Sequence, residues 1–251
     1  MIDAHTHIQL ISYYDLRLMH KYGIDSLITC VGSAPQASSY STIIDVMNTV
    51  LKLYRKNARD IGIDVFTGIG INPRNIPLDW KKSINTFSDF INNEDIVAIG
   101  EVGLDSGSDI EKDVFGEMVK LAKDYGKPLI VHTPNERRLE IVREEIRIVE
   151  DIGISRDLVE IDHAGMDILP LIKEHGLNFG MTVKVNRLSK NDVLKNIHEF
   201  ERGMLNSDVT NVNDSDPLVV PKTVKFLKNN DIEDDIIERI ADRNARMFFS
   251  I

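Results

Sequence analysis

The sequence predicts an α/β fold, a single-domain (β/α)8 barrel of the TIM type, and three observations lead there. Short runs rich in Ile, Val and Leu recur about eight times, each followed by a longer amphipathic stretch, the pattern of strand–helix–strand units on a parallel sheet. The 251 residues match the length of about 250 that such barrels use as one unit. Two further amphipathic segments after the last run can close the ring over the first strand.

In order, the first run is 1–7, followed by a helical pattern near 13–22; the second is 26–31, Ser-Leu-Ile-Thr-Cys-Val, followed by one near 40–60. The third, 63–71, precedes a helix near 82–92, and the fourth, 96–102, precedes one near 111–126. Gly126-Lys127-Pro128 stops that helix and opens the fifth run, 128–133, which leads to a helix near 135–152. The sixth run, 158–164, is followed by a helix near 167–175. The seventh, 178–185, is followed by one near 189–200, with Ser189 placed as an N-cap before Lys190-Asn191-Asp192. The eighth, 203–208, precedes the closing segments 217–229 and 233–249. No Pro/Ser-rich linker, low-complexity block or fixed-period repeat intervenes, so residues 1–251 are expected to form one domain. The most loop-like stretch, 210–221, holds Asp214, Asp216, Pro217 and Pro221, where a loop at the barrel mouth belongs.

Composition narrows the function classes. Lys and Arg number 30 against 40 Asp and Glu, a formal charge of −10, which disfavours a broad basic surface for nucleic acid but leaves room for a local positive pocket or a bound cation that holds a phosphate. Cys30, alone, excludes an internal disulfide, points to a reducing compartment, and in its apolar run reads as a buried inert thiol. Asp3, His5 and His7 stand where a secretory signal would need positive charge and then an apolar run, and no stretch of about 18 apolar residues occurs, so the expectation is a cytoplasmic protein that neither spans nor binds a membrane.

The seven histidines divide by context. His20, His175 and His198 fall in helical or loop stretches and read as surface residues; the other four lie in or at the end of predicted strands. His5 and His7 are two apart on one strand, so both point into the barrel, an arrangement suited to a shared metal. Asp3, two residues earlier, is expected on the same face as a carboxylate orienting one of those rings. Glu101 interrupts the apolar run Ala98-Ile99-Gly100-Glu101-Val102, where a buried carboxylate must be paired or metal-bound. His132, His163 and Asp208 end the fifth, sixth and eighth runs. The C-terminal strand ends build the active site in this architecture, so His5, His7, Glu101, His132, His163 and Asp208 are expected to converge on one rim and bind metal. Imidazole and carboxylate with no usable thiolate suit Zn²⁺, Mn²⁺, Fe²⁺ or Mg²⁺, one or two ions per chain, with a lean toward transition metals. Gly68-Ile69-Gly70 is only a fragment of a dinucleotide fingerprint, and neither a phosphate loop nor a Gly-x-Ser-x-Gly elbow occurs.

The ordered set Asp3-Ala4-His5-Thr6-His7, Gly100-Glu101-Val102-Gly103-Leu104-Asp105, Val131-His132, His163 and Ser207-Asp208, with the closing Asn244-Ala245-Arg246-Met247-Phe248, resembles the TatD-like metal-dependent hydrolases of the amidohydrolase superfamily over the whole chain. The resemblance implies two adjacent metals, one held by His5, His7 and Asp208 and the other by His132 and His163, with Glu101 bridging. It also implies Asp208 as proton acceptor, and deoxyribonuclease activity that removes nucleotides from 3′ ends.

Departures fall on the substrate side. Asn72-Pro73 stands where the family usually carries a histidine before the proline, Thr133-Pro134 where an arginine is common after the histidine, and Ser106 in place of an aromatic residue. Lys184, Arg187, Arg137 and Arg138 lie near rim loops and are candidates for replacement positive charge, although a solvated helix face serves equally for Arg137 and Arg138. The leading expectation is therefore phosphodiester hydrolysis by a metal-activated water, with Asp208 and Glu101 catalytic and a single-stranded or terminal nucleic acid, or a small molecule, as substrate. Hydrolysis of a small amide, ester or lactone on the same ligands is the second, and a non-catalytic metal-binding protein the third. No obligate protein partner is indicated.

Overall fold

The computed structural model describes residues 1–31, 37–210 and 215–251. Residues 211–214 of the expected mouth loop, Asp214 among them, lie outside the described residues. Eight strands form one sheet in sequential order: β1 (Ile2–Thr6), β2 (Ser26–Cys30), β3 (Asp64–Ile69), β4 (Ile96–Gly103), β5 (Leu129–His132), β6 (Val159–Ile161), β7 (Asn178–Thr182) and β8 (Met204–Asn206). Every neighbouring pair is parallel. The last strand returns to the first: Asp208 N donates to His5 O at 3.0 Å, and Thr6 pairs with Val209. The expected α/β TIM barrel is the fold observed.

Alternate residues of the strands divide between two apolar layers, as a closed sheet covered by helices requires. Leu27, Ile99, Leu129, Val131, Ile161 and Leu205 pack with helix residues such as Met19, Met47, Phe87, Phe115, Val149 and Phe200. Ile28, Cys30, Ala98, Ile130 and Met204 form the second cluster, to which the C-terminal helix adds Ala245 and Phe249. Cys30 is free and fully buried, as expected.

The predicted helix near 40–60 is three pieces in the structure, Tyr40–Thr49, a π-helical turn Val50–Tyr54 and Arg55–Arg59, and the segment 233–249 repeats that pattern with a π turn at Arg239–Arg243. Ser189 caps as predicted: its side chain accepts from Asp192 N at 3.2 Å while its own N–H donates to Asp192 Oδ2 at 2.9 Å. Seven of the eight strands are shorter than the apolar runs, and β4 extends one residue past its run, to Gly103. β6 ends at Ile161 and β8 at Asn206, so Asp162, His163 and Asp208 lie just beyond their strands, on the first residues of the rim loops.

Among the described residues no helix is long and apolar enough to cross a membrane. His20 and His198 are exposed and His175 is half-buried; His175 and His198 pair with Glu150 and Glu201, each at 2.9 Å, away from the rim.

Candidate metal centre

β1 supplies His5, and His7 follows one residue past its end, two positions along and turned the same way. His5 Nε2 and His7 Nε2 lie 3.4 Å from each other, and His7 Nε2 lies 3.3 Å from Asp208 Oδ1. Asp3 does not join them. The pairing of β1 with β2 slips by one residue between Asp3 and Thr6, so the two-residue alternation does not carry back from His5 to Asp3. Asp3 Oδ1 instead accepts from Ser207 N at 2.9 Å, tying the first strand to the segment after the last. The carboxylate that orients His5 is Asp162, whose Oδ2 meets His5 Nδ1.

β4 delivers Glu101 between the histidines of the two sides. Its Oε1 lies 2.6 Å from His132 Nδ1 and 3.2 Å from His163 Nε2. Its Oε2 lies 3.9 Å from His5 Nε2 and 3.8 Å from His7 Nε2 and accepts from Asn72 Nδ2 at 2.8 Å. Asn72 thus stands in the centre itself, holding the oxygen that faces the first pair. Gly100 precedes Glu101 with φ at +154°, and a Cβ there would sit 2.6 Å from Ile130 Cβ, so the approach of β4 to β5 at this point requires glycine.

Asp162 and His163 are adjacent and on a continuing strand would face opposite ways. His163 takes φ of +57°, which turns the chain so that both reach the interior. Asp162 has room because β7 offers Gly180, where a Cβ would lie 2.0 Å from Asp162 Oδ1 and 2.5 Å from Glu160 Oε1. Asn206 Nδ2 donates to Asp162 Oδ1 at 2.8 Å.

Three of the four rings are anchored through Nδ1, His5 on Asp162, His7 on the Cys30 carbonyl at 3.0 Å and His163 on Thr182 Oγ1 at 2.7 Å, which leaves their Nε2 atoms toward the centre. That is how ligating imidazoles are normally oriented. His132 Nε2 is buried without a hydrogen-bond partner, 3.6 Å from Asp105 Oδ1.

Among the described residues three groups bring their ligand atoms within 4.8 Å of one another: the triads His5–His7–Asp208 and Glu101–His132–His163, and His5–Glu101–Asp162 between them. Imidazole nitrogens converging on carboxylates, with one ring nitrogen orphaned, fit divalent cations. All six residues expected at the rim are brought together.

Burial would raise the Glu101 carboxyl, but the charges of His132 and His5 and hydrogen bonds from His132 and His163 hold it well below the usual range. Asp208 behaves likewise: burial is outweighed by the His7 hydrogen bond and the charges of His163, His7 and His5. Against the opposing effect of burial, Glu101 and Asp105 push the His132 imidazole up to about 9. In the metal-free protein the cluster therefore holds protons that a metal must displace.

The loop after β4 is held by two acids that the sequence reading did not single out. Glu111 Oε2 accepts from the N–H groups of Asp105, Ser106 and Gly107 at 3.0, 2.9 and 2.8 Å, and its Oε1 from Ser106 Oγ at 2.7 Å. Glu145, fully buried, accepts from Leu104 N at 2.8 Å. Of the rim cations, Arg137 is exposed and paired with Glu140, the solvated helix face. Lys184 Nζ donates to Asp208 Oδ2 at 2.9 Å and to Asp208 O at 2.7 Å.

The family model for TatD related DNase matches residues 2–250. An uncharacterized metal-dependent hydrolase of Methanocaldococcus jannaschii is 31% identical over 254 residues, spanning 100% of both chains. Among solved structures, the TatD-like protein of Archaeoglobus fulgidus is similar with a TM-score of 0.86 and 26% identity over 100% of both chains. The phosphotriesterase homology protein of Escherichia coli shares the fold at a TM-score of 0.72 and 15% identity, over 99% of this chain and 98% of its own. Fold, rim geometry and kinship converge: the chain belongs to the TatD related DNase family and is a metal-dependent hydrolase.

Proposed function

We propose that the protein hydrolyses phosphodiester bonds, with single-stranded or terminal nucleic acid as the substrate class and His5, His7, Glu101, His132, His163 and Asp208 as its metal ligands. The observation that carries this reading is the division of Glu101, one oxygen toward His132 and His163 and the other toward His5 and His7. A carboxylate so placed can serve two cations at once. A bound pair of divalent ions would supply a water of lowered pKa and neutralise charge on the attacking and leaving oxygens.

The chain's own residues do the rest. Asp208 points Oδ1 toward His7 while Lys184 holds Oδ2, which fixes the carboxylate at the rim where it can take the proton of the attacking water and return it to the leaving oxygen. Asp162, Thr182 and the Cys30 carbonyl keep three imidazoles in one orientation, and Asn72 holds Glu101. A recessed site on a chain of charge −10 suits a strand end better than the face of a duplex.

The test is turnover of bis(4-nitrophenyl) phosphate, then of single-stranded DNA ends, by protein reconstituted with Mn²⁺, Zn²⁺ or Mg²⁺. Asp208→Asn should lower kcat by about 10²- to 10⁴-fold. Turnover of simple esters or lactones with none of the phosphodiester would overturn the reading in favour of carbonyl hydrolysis. An unchanged rate in Asp208→Asn would remove Asp208 from the chemistry.

A further inference from the structure

The turn after β7 is closed on itself by main-chain hydrogen bonds: Lys184 N to Leu188 O at 3.1 Å, Arg187 N to Lys184 O at 3.0 Å and Leu188 N to Thr182 O at 3.2 Å. Such a turn presents its side chains from fixed points. It carries two cations in different directions. Lys184 goes to Asp208, beyond β8. Arg187 goes the other way, past the end of β6, to the segment following β5: Nη2 donates to Thr133 O at 2.9 Å and Nη1 to Pro134 O at 3.3 Å. The guanidinium therefore lies across the rim on the side of His132 and His163.

Its partners are main-chain carbonyls. Among the described residues no carboxylate stands within salt-bridge distance of Arg187, in a protein where acids outnumber bases by ten. A guanidinium has five N–H donors, and these two bonds use two of them. A second guanidinium is close behind: Arg138 Nη2 donates to His163 O at 2.5 Å, and burial first, then the charge of Arg138, weaken the hold of Arg187 on its proton against the attraction of Asp162, Asp208 and Glu101. Two neighbouring guanidiniums, one with no ion-pair partner in contact among the described residues, beside a cluster of metal-ligand type, form an arrangement that an anion stabilises.

We infer that Arg187, backed by Arg138, is the oxyanion-binding group of the substrate pocket, receiving a non-bridging phosphoryl oxygen or a carboxylate of the molecule to be hydrolysed. This rests on the rim being the catalytic site. Arg187 docks on Thr133-Pro134, so the turn after β7 adds its positive charge to that of Arg138, which the segment after β5 itself carries to this side of the centre.

Four substrates with one leaving group test it: bis(4-nitrophenyl) phosphate, the neutral diethyl 4-nitrophenyl phosphate, 4-nitrophenyl acetate, and mono(4-nitrophenyl) succinate, which carries a carboxylate. In the metal-reconstituted enzyme Arg187→Gln should raise KM about tenfold or more for the charged compounds and leave the neutral ones within about twofold, with Arg187→Lys in between. A rise confined to the phosphodiester assigns the site to phosphoryl oxygen; a rise confined to the succinate ester assigns it to carboxylate. Equal effects on charged and neutral substrates would mean that Arg187 only staples the Thr133 segment, and would overturn the proposal.

In parallel, the metal-free full chain is melted with increasing inorganic phosphate or acetate. Wild type should rise in Tm with at least one of them, and Arg187→Gln should not. Arg187-dependent stabilisation in a protein that hydrolyses none of the four compounds would leave the anion site standing and count against the catalytic reading. Loss of Arg187 without effect on either anion or on any KM would remove the site.

Discussion

Asp162 Oδ2 rests against His5 Nδ1 with both side chains fully buried, so the first histidine of the chain takes its orientation from a residue 157 positions away. Partners of this kind fix the tautomer and raise the basicity of a ligating ring. Asp162→Asn should weaken metal binding by about 10- to 100-fold while leaving the far-ultraviolet circular dichroism unchanged. Titration with Zn²⁺ or Mn²⁺ and metal analysis after dialysis read this directly, and wild-type affinity in the variant would dismiss the role given to Asp162.

Gly180 is required by the same carboxylate. A methyl group there would lie 2.0 Å from Asp162 Oδ1, with neighbours too well packed to withdraw. Gly180→Ala should cost about 1–3 kcal/mol in denaturant unfolding and reduce metal content, because the side chain displaced is the one that holds His5. A variant of wild-type stability would show that the barrel interior yields more readily than its packing indicates.

Glu111 gathers three main-chain N–H groups of the loop that carries Asp105. Glu111→Ala should destabilise by about 2–3 kcal/mol and speed hydrogen exchange at Asp105, Ser106 and Gly107 ahead of the rest of the molecule. Unchanged protection at those amides would contradict the role assigned to the carboxylate.

Asp3 gives a pH dependence with a definite sign. Its carboxyl is fully buried, and burial pushes it up to about 7 from an ordinary 3.8 despite the hydrogen bonds from Ser207. A carboxyl raised in the folded state favours folding of the protonated form, so its contribution is present below pH 3.8 and is lost as pH rises through about 7. Metal-free wild type should therefore lose stability between about pH 4 and pH 7 relative to Asp3→Asn, by at most about 4 kcal/mol at about 1.4 kcal/mol per pH unit, and no further above that window. Parallel Tm profiles for the two proteins would rule out this titration.

The eight strands and the six rim residues were legible because both follow simple periodicities. Apolar runs separated by amphipathic stretches define strand–helix units, and the strand-end histidines and acids stand out against the apolar runs that carry them. What failed was the assumption of unbroken alternation. Counting in twos puts Asp3 with His5, and the one-residue slip between β1 and β2 defeats that count. Asp162 escapes the same count for the converse reason, since a neighbour of His163 should point away, and only the positive φ at His163 brings both inward. A signal was available: Glu160 and Asp162 alternate with Ile161 in a strand buried on both faces, where acids need partners. Glu111 and Glu145 act from helices on backbone amides of a distant loop, and no sequence spacing announces such contacts.

Ring closure and the metal cluster share their residues. Asp208 N bonds His5 O, and the same two residues belong to the first triad. An ion seated there would act as a clasp joining the beginning of the polypeptide to a point more than two hundred residues along it. Loop-closure entropy makes such a long-range contact slow and costly to form, and a cross-link across it slows its reopening. During synthesis the triad cannot assemble until β8 has emerged, so metal capture marks completion of the ring. Chelation should correspondingly unlatch the seam between β1 and β8 before it disturbs the strands in between.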